Sequence, residues 1–188
     1  PSCATILCMS CTGTTDRTSR DGYNTILDPL LSWLRRRRIT PYIHRGSSLL
    51  DIGCGGAGID ILLAHRYPNL EVHLMDGNGE GEQQIGFYPT TQAWNDVQYA
   101  VDQVRSRSLT RSVTGWYADP YFTIANLDLV ISFKSWCHHY PASVYLPGVL
   151  RSLRVGGHVI TDIRNGTDGY DTITKAGFAD RGVLSEKP

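Results

Sequence analysis

No stretch of this 188-residue chain approaches the roughly 20 consecutive apolar residues that a membrane-spanning helix needs. The first residues also lack the basic start and long apolar segment of a secretion signal, so a soluble, cytoplasmic protein is expected, with no membrane partner. Charge of one sign is missing too. The 18 basic and 18 acidic side chains cancel, whereas a broad nucleic-acid surface carries a basic excess. Cysteine is scarce and odd in number, at five, and Cys54 and Cys137 lie far from the rest, which argues against a disulfide framework. Cys3, Cys8 and Cys11 offer three thiolates, but a closed structural zinc site takes four ligands and no fourth is evident before His44. They are read as reduced thiols on a loosely ordered arm, and no metal site is assigned.

What the chain does have is the run Leu49-Leu50-Asp51-Ile52-Gly53-Cys54-Gly55-Gly56-Ala57-Gly58. It places an apolar strand, a carboxylate and a glycine-dense turn directly ahead of an apolar helix. Glycines let the backbone swing off a strand and leave room for a ligand against bare peptide, and the following helix offers unpaired N–H groups to polar atoms. The spacing Gly53-x-Gly55-x-x-Gly58 also fits a dinucleotide fingerprint. Residues 70–76, Leu-Glu-Val-His-Leu-Met-Asp, predict a second strand ending in Asp76, where an acid can take both hydroxyls of a ribose. Asp51, just before the first glycine, is less at home against a pyrophosphate, which would repel it. A cofactor bearing an amine and a sulfonium tolerates it.

On these residues the chain resembles the class I S-adenosylmethionine-dependent methyltransferases, and the resemblance runs on in order through residues 49–164. Residues 112–117 (Ser-Val-Thr-Gly-Trp-Tyr) look like the third strand, and Ala118-Asp119-Pro120 is similar to the family's acidic turn beside the adenine. Residues 127–133 look like the fourth strand. Lys134-Ser135-Trp136-Cys137-His138-His139-Tyr140-Pro141 then occupies the place of a His-rich loop found in many small-molecule methyltransferases. A helix over 145–157 closes with Arg154-Val155-Gly156-Gly157, similar to the family's Lys-Pro-Gly-Gly turn, and 158–164 form the fifth strand. The implied fold is a Rossmann-like three-layer α/β/α sandwich with a mostly parallel sheet. At 188 residues and 41% hydrophobic, the chain suits one such domain over 23–188, behind a flexible arm over 1–22.

Outside the matching motifs the reading is more open. A helix is expected from about Asn24 or Asp28, with Asp28 and Pro29 as cap and first position, and the family's habit makes it a lid to which Tyr23 or Asn24 contributes. Arg35-Arg36-Arg37-Arg38 points nearly all round a helix axis and suits a solvated helix end better than a single binding face. Residues 77–90 form a Gly/Glu-rich connection ahead of a helix over 91–107, and Gln83, Phe87, Tyr88 and Trp94 are candidates for a substrate mouth or for plain packing. A short helix over 170–176 leads to a sixth strand at Gly177-Phe178. Too little chain follows for the usual antiparallel seventh strand, so the sheet is expected to lack it, to be completed by another chain, or to belong to a truncated piece.

The resemblance implies S-adenosyl-L-methionine as cofactor. Gly53, Gly55 and Gly56 would approach its methionine portion, Asp51 would orient the amine, Asp76 would take the ribose and Asp119 the adenine amine. Cys54, Gly77, Asn78, Pro120 and Ser132 complete the expected cofactor shell. A hydroxyl acceptor must lose a proton, and a neutral imidazole suits that work near pH 7, so His138 or His139 is the candidate base and Lys134 a candidate positioning cation. A small-molecule acceptor is favoured. Methylation of RNA or DNA, the messenger-RNA cap included, is the alternative, as is a non-catalytic cofactor-binding partner protein. Oligomeric state is left open.

Overall fold

The computed structural model describes residues 4–11, 43, 46–67, 69–81, 86–89, 93, 95–107 and 112–186, the first and last strands in backbone only for 4–11 and 180–186. The expectations placed on Cys3, Tyr23, Asn24, Asp28, Pro29, Arg35 to Arg38, His44, Gln83 and Trp94 lie outside the described residues. The chain runs β1 Ala4–Cys11, β2 Ser48–Ile52, α1 Gly58–Arg66, β3 Glu71–Asp76, α2 Val97–Arg107, β4 Ser112–Tyr117, β5 Leu127–Ser132, β6 Ser135–Tyr140, α3 Ala142–Ser152, β7 Leu153–Arg164, α4 Gly169–Lys175 and β8 Phe178–Glu186. No helix among the described residues is long and apolar enough to cross a membrane.

Seven strands form one sheet in the order β4-β3-β2-β5-β7-β1-β8, and every pairing is parallel. A parallel sheet needs cover on both faces, and consecutive residues divide accordingly. Leu50, Ile52, Met75, Val130 and Val159 enter one core with Trp136, Tyr145 and Val149. Leu49, Leu74, Leu129, Ile131 and Ile160 enter the other with Ala100, Val101 and Val104 of α2. That period of two is why each strand reads as an unbroken apolar run.

Three sequence expectations are corrected. The sheet does not lack a seventh strand: β1 enters between β7 and β8, pairing Ile6 with Val159 on one side and with Asp180 on the other. It is parallel to both neighbours, not antiparallel, and comes from residues expected in a flexible arm. The helix expected over 91–107 begins at Val97, because Asp96 Oδ1 accepts the Gln98 N–H at 2.9 Å and so caps it. The helix expected over 145–157 ends at Ser152, whose buried hydroxyl accepts the Ile124 N–H at 2.9 Å, and the chain passes straight into β7.

The chain order reverses at β2, with β3 and β4 on one side and β5 and β7 on the other. Ligands of open α/β sheets bind outside the carboxyl ends of the strands at such a switch point. Gly53, Asp76, Ala118 and Lys134 all lie just beyond those ends.

Candidate functional site

At the end of β2 the backbone turns at Gly53, with φ 78°, and the N–H groups of Gly53 and Cys54 both donate to Met75 O, at 2.8 and 3.2 Å. A Cβ on Gly53 would lie 2.0 Å from Ser135 Oγ, so the turn and the start of β6 close on each other only because residue 53 is glycine. Asp76, 3% exposed at the end of β3, accepts from Gly55 N and Gly77 N at 2.8 Å each and from Asn95 Nδ2 at 3.3 Å. Those three donors fix the carboxylate beside the glycine turn.

Asn95 reaches it because the connection after β3 comes back. A Cβ on Gly77 would meet Ala93 O at 2.4 Å, Val97 N donates to Gly77 O at 3.0 Å, and Asn78 and Asp96 form an antiparallel bridge. The described part of this connection thus folds over the end of β3 instead of looping into solvent.

Between these elements and β6 lies a cleft open to solvent, with a cavity volume of about 50 Å³. Gly53, Met75, Asp76, Asn95 and Ala118 form one wall, and Lys134, Ser135, His139, Tyr140 and Tyr145 the other. Of the two candidate bases, His139 lines the cleft and His138 does not. Their rings meet edge to face, crossing at 86° with centroids 5.0 Å apart. His139 Nδ1 is 2.7 Å from Gly86 O. A carbonyl only accepts, so this nitrogen carries the hydrogen and, in the neutral ring, Nε2 carries the lone pair. Tyr88 N returns a bond to His139 O at 2.7 Å, latching residues 86–88 to β6. His138 is pushed down to about 4, by burial first and then by the charges of Lys134, His139 and Arg164.

Asp51 is 3% exposed and Asp60, in the first turn of α1, is fully buried. Asp51 is raised well above the usual carboxylate range by burial, then by the charge of Asp60 beside it, and Asp60 is raised to about 7, chiefly by burial. The two carboxyls are within hydrogen-bond reach of each other, which a proton on one of them allows, and Asp51 Oδ1 and the Asp60 oxygens have no other partner among the described residues. Burial, with the charges of Asp51, Asp60 and Asp76, also pushes the Cys54 thiol up, so it is no thiolate nucleophile.

Several expected cofactor residues have other work. Ser132 is fully buried; its hydroxyl donates to Ile52 O at 2.7 Å and accepts from Trp136 N at 2.9 Å, tying β2 to β6 rather than facing the cleft. Asn78 is exposed and pairs with Glu80. Exposed Asp119 accepts the Tyr121 N–H at its Oδ1 at 2.8 Å, which shapes the turn containing half-buried Pro120. Sequence reasoning missed Asn95, Ser135, Tyr145 and Asp60. Asp60 had a usable signal, being an acid on the strand-facing side of an apolar helix.

Neither protein-family models nor curated proteins give a match. Solved structures do. A provisionally assigned O-methyltransferase from Nostoc punctiforme PCC 73102 superposes with a TM-score of 0.50 at 16% identity, over 74% of this chain and 39% of that one. Geranyl diphosphate C-methyltransferase from Streptomyces coelicolor A3(2), solved with Mg2+, geranyl diphosphate and S-adenosyl-L-homocysteine, gives 0.50 at 14% identity, over 88% of this chain and 62% of that one. The chain spans less than two thirds of either protein. At such identities the likeness establishes the fold alone, a Rossmann-like α/β fold that this chain shares with these methyltransferases.

Proposed function

We propose that the chain is an S-adenosylmethionine-dependent methyltransferase that moves a methyl group to a hydroxyl, or an amine, of a small-molecule acceptor. The observation that carries the reading is the cleft itself, with a glycine turn and a donor-held Asp76 on one side and an oriented imidazole on the other. The residues fit the cofactor: space is open where a Cβ of Gly55 would stand, and buried Asp76 lies at the strand end where a ribose is held.

When bound, the cofactor supplies an electrophilic methyl carbon on a sulfonium. Gly53 to Gly56 receive its methionine portion, Asp76 its ribose, and the Ala118–Asp119 turn its base. Lys134, His139, Tyr140 and Tyr145 hold the acceptor opposite. The bound cofactor would supply the methyl group for transfer to the acceptor, and His139 Nε2 would take the proton of an acceptor hydroxyl. Alignment of acceptor and methyl group accounts for much of the acceleration, since held reactants gain effective molarities of about 10⁵–10⁸ M.

The test is transfer of labelled methyl groups to acceptors in a metabolite extract, by wild type, His139→Ala and His138→Ala. His139→Ala should lose about 10²–10⁴-fold, the usual worth of a general base, and His138→Ala far less. Equal rates in wild type and His139→Ala would remove the assigned base.

A further inference from the structure

We infer that the chain forms a two-fold dimer through the open edge of its sheet, β4 of one copy pairing antiparallel with β4 of a second. The surface is independent of the cofactor reading.

An edge strand presents a row of unpaired N–H and C=O groups, and proteins guard it with charges, proline or bulges. β8, at one edge, is guarded: its ladder with β1 shifts register twice, and its sequence carries Asp180, Arg181 and Glu186. β4, at the other edge, has neither device. Ser112-Val-Thr-Gly-Trp-Tyr117 holds no charge and no proline, and it keeps register with β3 from Glu71–Ser112 to Asp76–Tyr117 without a bulge. Just beyond it, Ala118 N donates to Asp76 O on the β3 side at 2.8 Å. Alternate residues of a strand turn to opposite neighbours, so Val113, Gly115 and Tyr117 direct their N–H and C=O groups outward. Among the described residues, Arg105 Nη2 donates to Val113 O at 3.1 Å and no strand pairs with the rest of the row.

A second copy fits this edge. A dyad through Gly115, normal to the sheet, sets Val113 opposite Tyr117 of the second copy and Thr114 opposite its Trp116, β-branched against aromatic on both faces. Tyr117, 68% exposed in the single chain, is then covered, its ring received by the groove that Val101, Arg105 and Val113 line between α2 and β4.

The same dyad makes the charges complementary. A Cβ on Gly115 would stand 2.9 Å from Val101 Cγ2, so the axis passes beside Val101 and the two copies of α2 run antiparallel about that residue. Exposed Asp96 lies toward one end of the helix and exposed Arg105 and Arg107 toward the other, none of them in an ion pair among the described residues. The acid of each copy therefore meets the arginines of the other, as a self-complementary two-fold contact requires.

Sedimentation equilibrium and amide hydrogen exchange over a concentration series test it, on wild type, Tyr117→Lys and Arg105→Glu. Wild type should dimerise. The amides of Val113, Gly115 and Tyr117 should gain protection as the dimer forms, while those of Thr114 and Trp116, already turned to β3, stay as they are. Tyr117→Lys puts a charge on the edge and Arg105→Glu sets like charges against Asp96, so each should raise the dimer dissociation constant about tenfold or more, with circular dichroism unchanged. Where a variant unfolds, the exchange pattern of wild type decides alone. A monomer at every concentration overturns the inference, as does a dimer whose Gly115 and Tyr117 amides exchange as in the monomer, or whose dissociation constant neither variant moves. Protection of those amides in the monomer, the sign of a segment of the same chain laid along β4, overturns it too.

Discussion

Gly53 cannot gain even a methyl group while Ser135 keeps its place, since the Cβ would fall 2.0 Å from the hydroxyl oxygen and the backbone there has φ 78°. Gly53→Ala should therefore cost about 1–3 kcal/mol and splay β6 from the turn, seen as a lower Tm with weakened cofactor binding. The neighbouring Lys134 gives the opposite sign. Lys134→Gly relieves a left-handed residue and should raise stability by about 1 kcal/mol in thermal melts; a lower Tm would mean the lysine side chain is structural. Asp60 ties stability to pH. Its folded value, about 7, stands above its ordinary 3.8, so the folded state holds more protons between those limits, and stability is lost as pH rises through that window. Asp60→Asn should be the more stable protein at pH 8, by about 1–3 kcal/mol, with the gap closing toward pH 4; paired thermal melts across that range check it.

Elements were legible where their own residues decide them. β3, β4 and β5 stand within a residue of their predicted ranges, β3 and β5 because they are buried on both faces, and β4, at the sheet edge with Val113 buried, through its pairing with β3. The start of α2 was not, because Thr91 to Asn95 continue a helical-looking stretch and only the Asp96 cap and the return of Asn95 to Asp76 set the boundary. Asn95→Ala should leave the helix intact, by circular dichroism, yet weaken cofactor binding about tenfold, roughly 1.4 kcal/mol, as one of three donors to Asp76 is lost. β1 was the hardest to see. Ala4–Cys11 looks like an arm because its partners, β7 and β8, lie at the far end of the chain. A proline within it, Leu7→Pro, removes ladder bonds in a strand flanked on both sides and should cost about 3 kcal/mol or more; an unchanged denaturation midpoint would show that β1 adds nothing to the sheet.

At the scale of the whole molecule, the reversal of strand order at β2 puts the glycine turn, Asp76, the Ala118 turn and the His139 strand around one cleft. The cofactor wall was readable because glycines and strand-end acids leave marks at fixed spacing. The acceptor wall was readable only in part: Lys134 and His139 fall in the single stretch 134–141, whereas the closeness of Ser135 to Gly53 and the arrival of Tyr145 at the cleft are set by folding. Which histidine faces the cleft turns on the latch with Gly86 and Tyr88, residues distant in sequence. The most direct test of the account is calorimetry with S-adenosylmethionine and S-adenosylhomocysteine on wild type and Asp76→Ala. Both ligands should bind one site per chain in wild type, with affinity lowered about 10²-fold in the variant, the cost of losing charge-assisted bonds. Failure of both ligands to bind, or binding unchanged by Asp76→Ala, would contradict it.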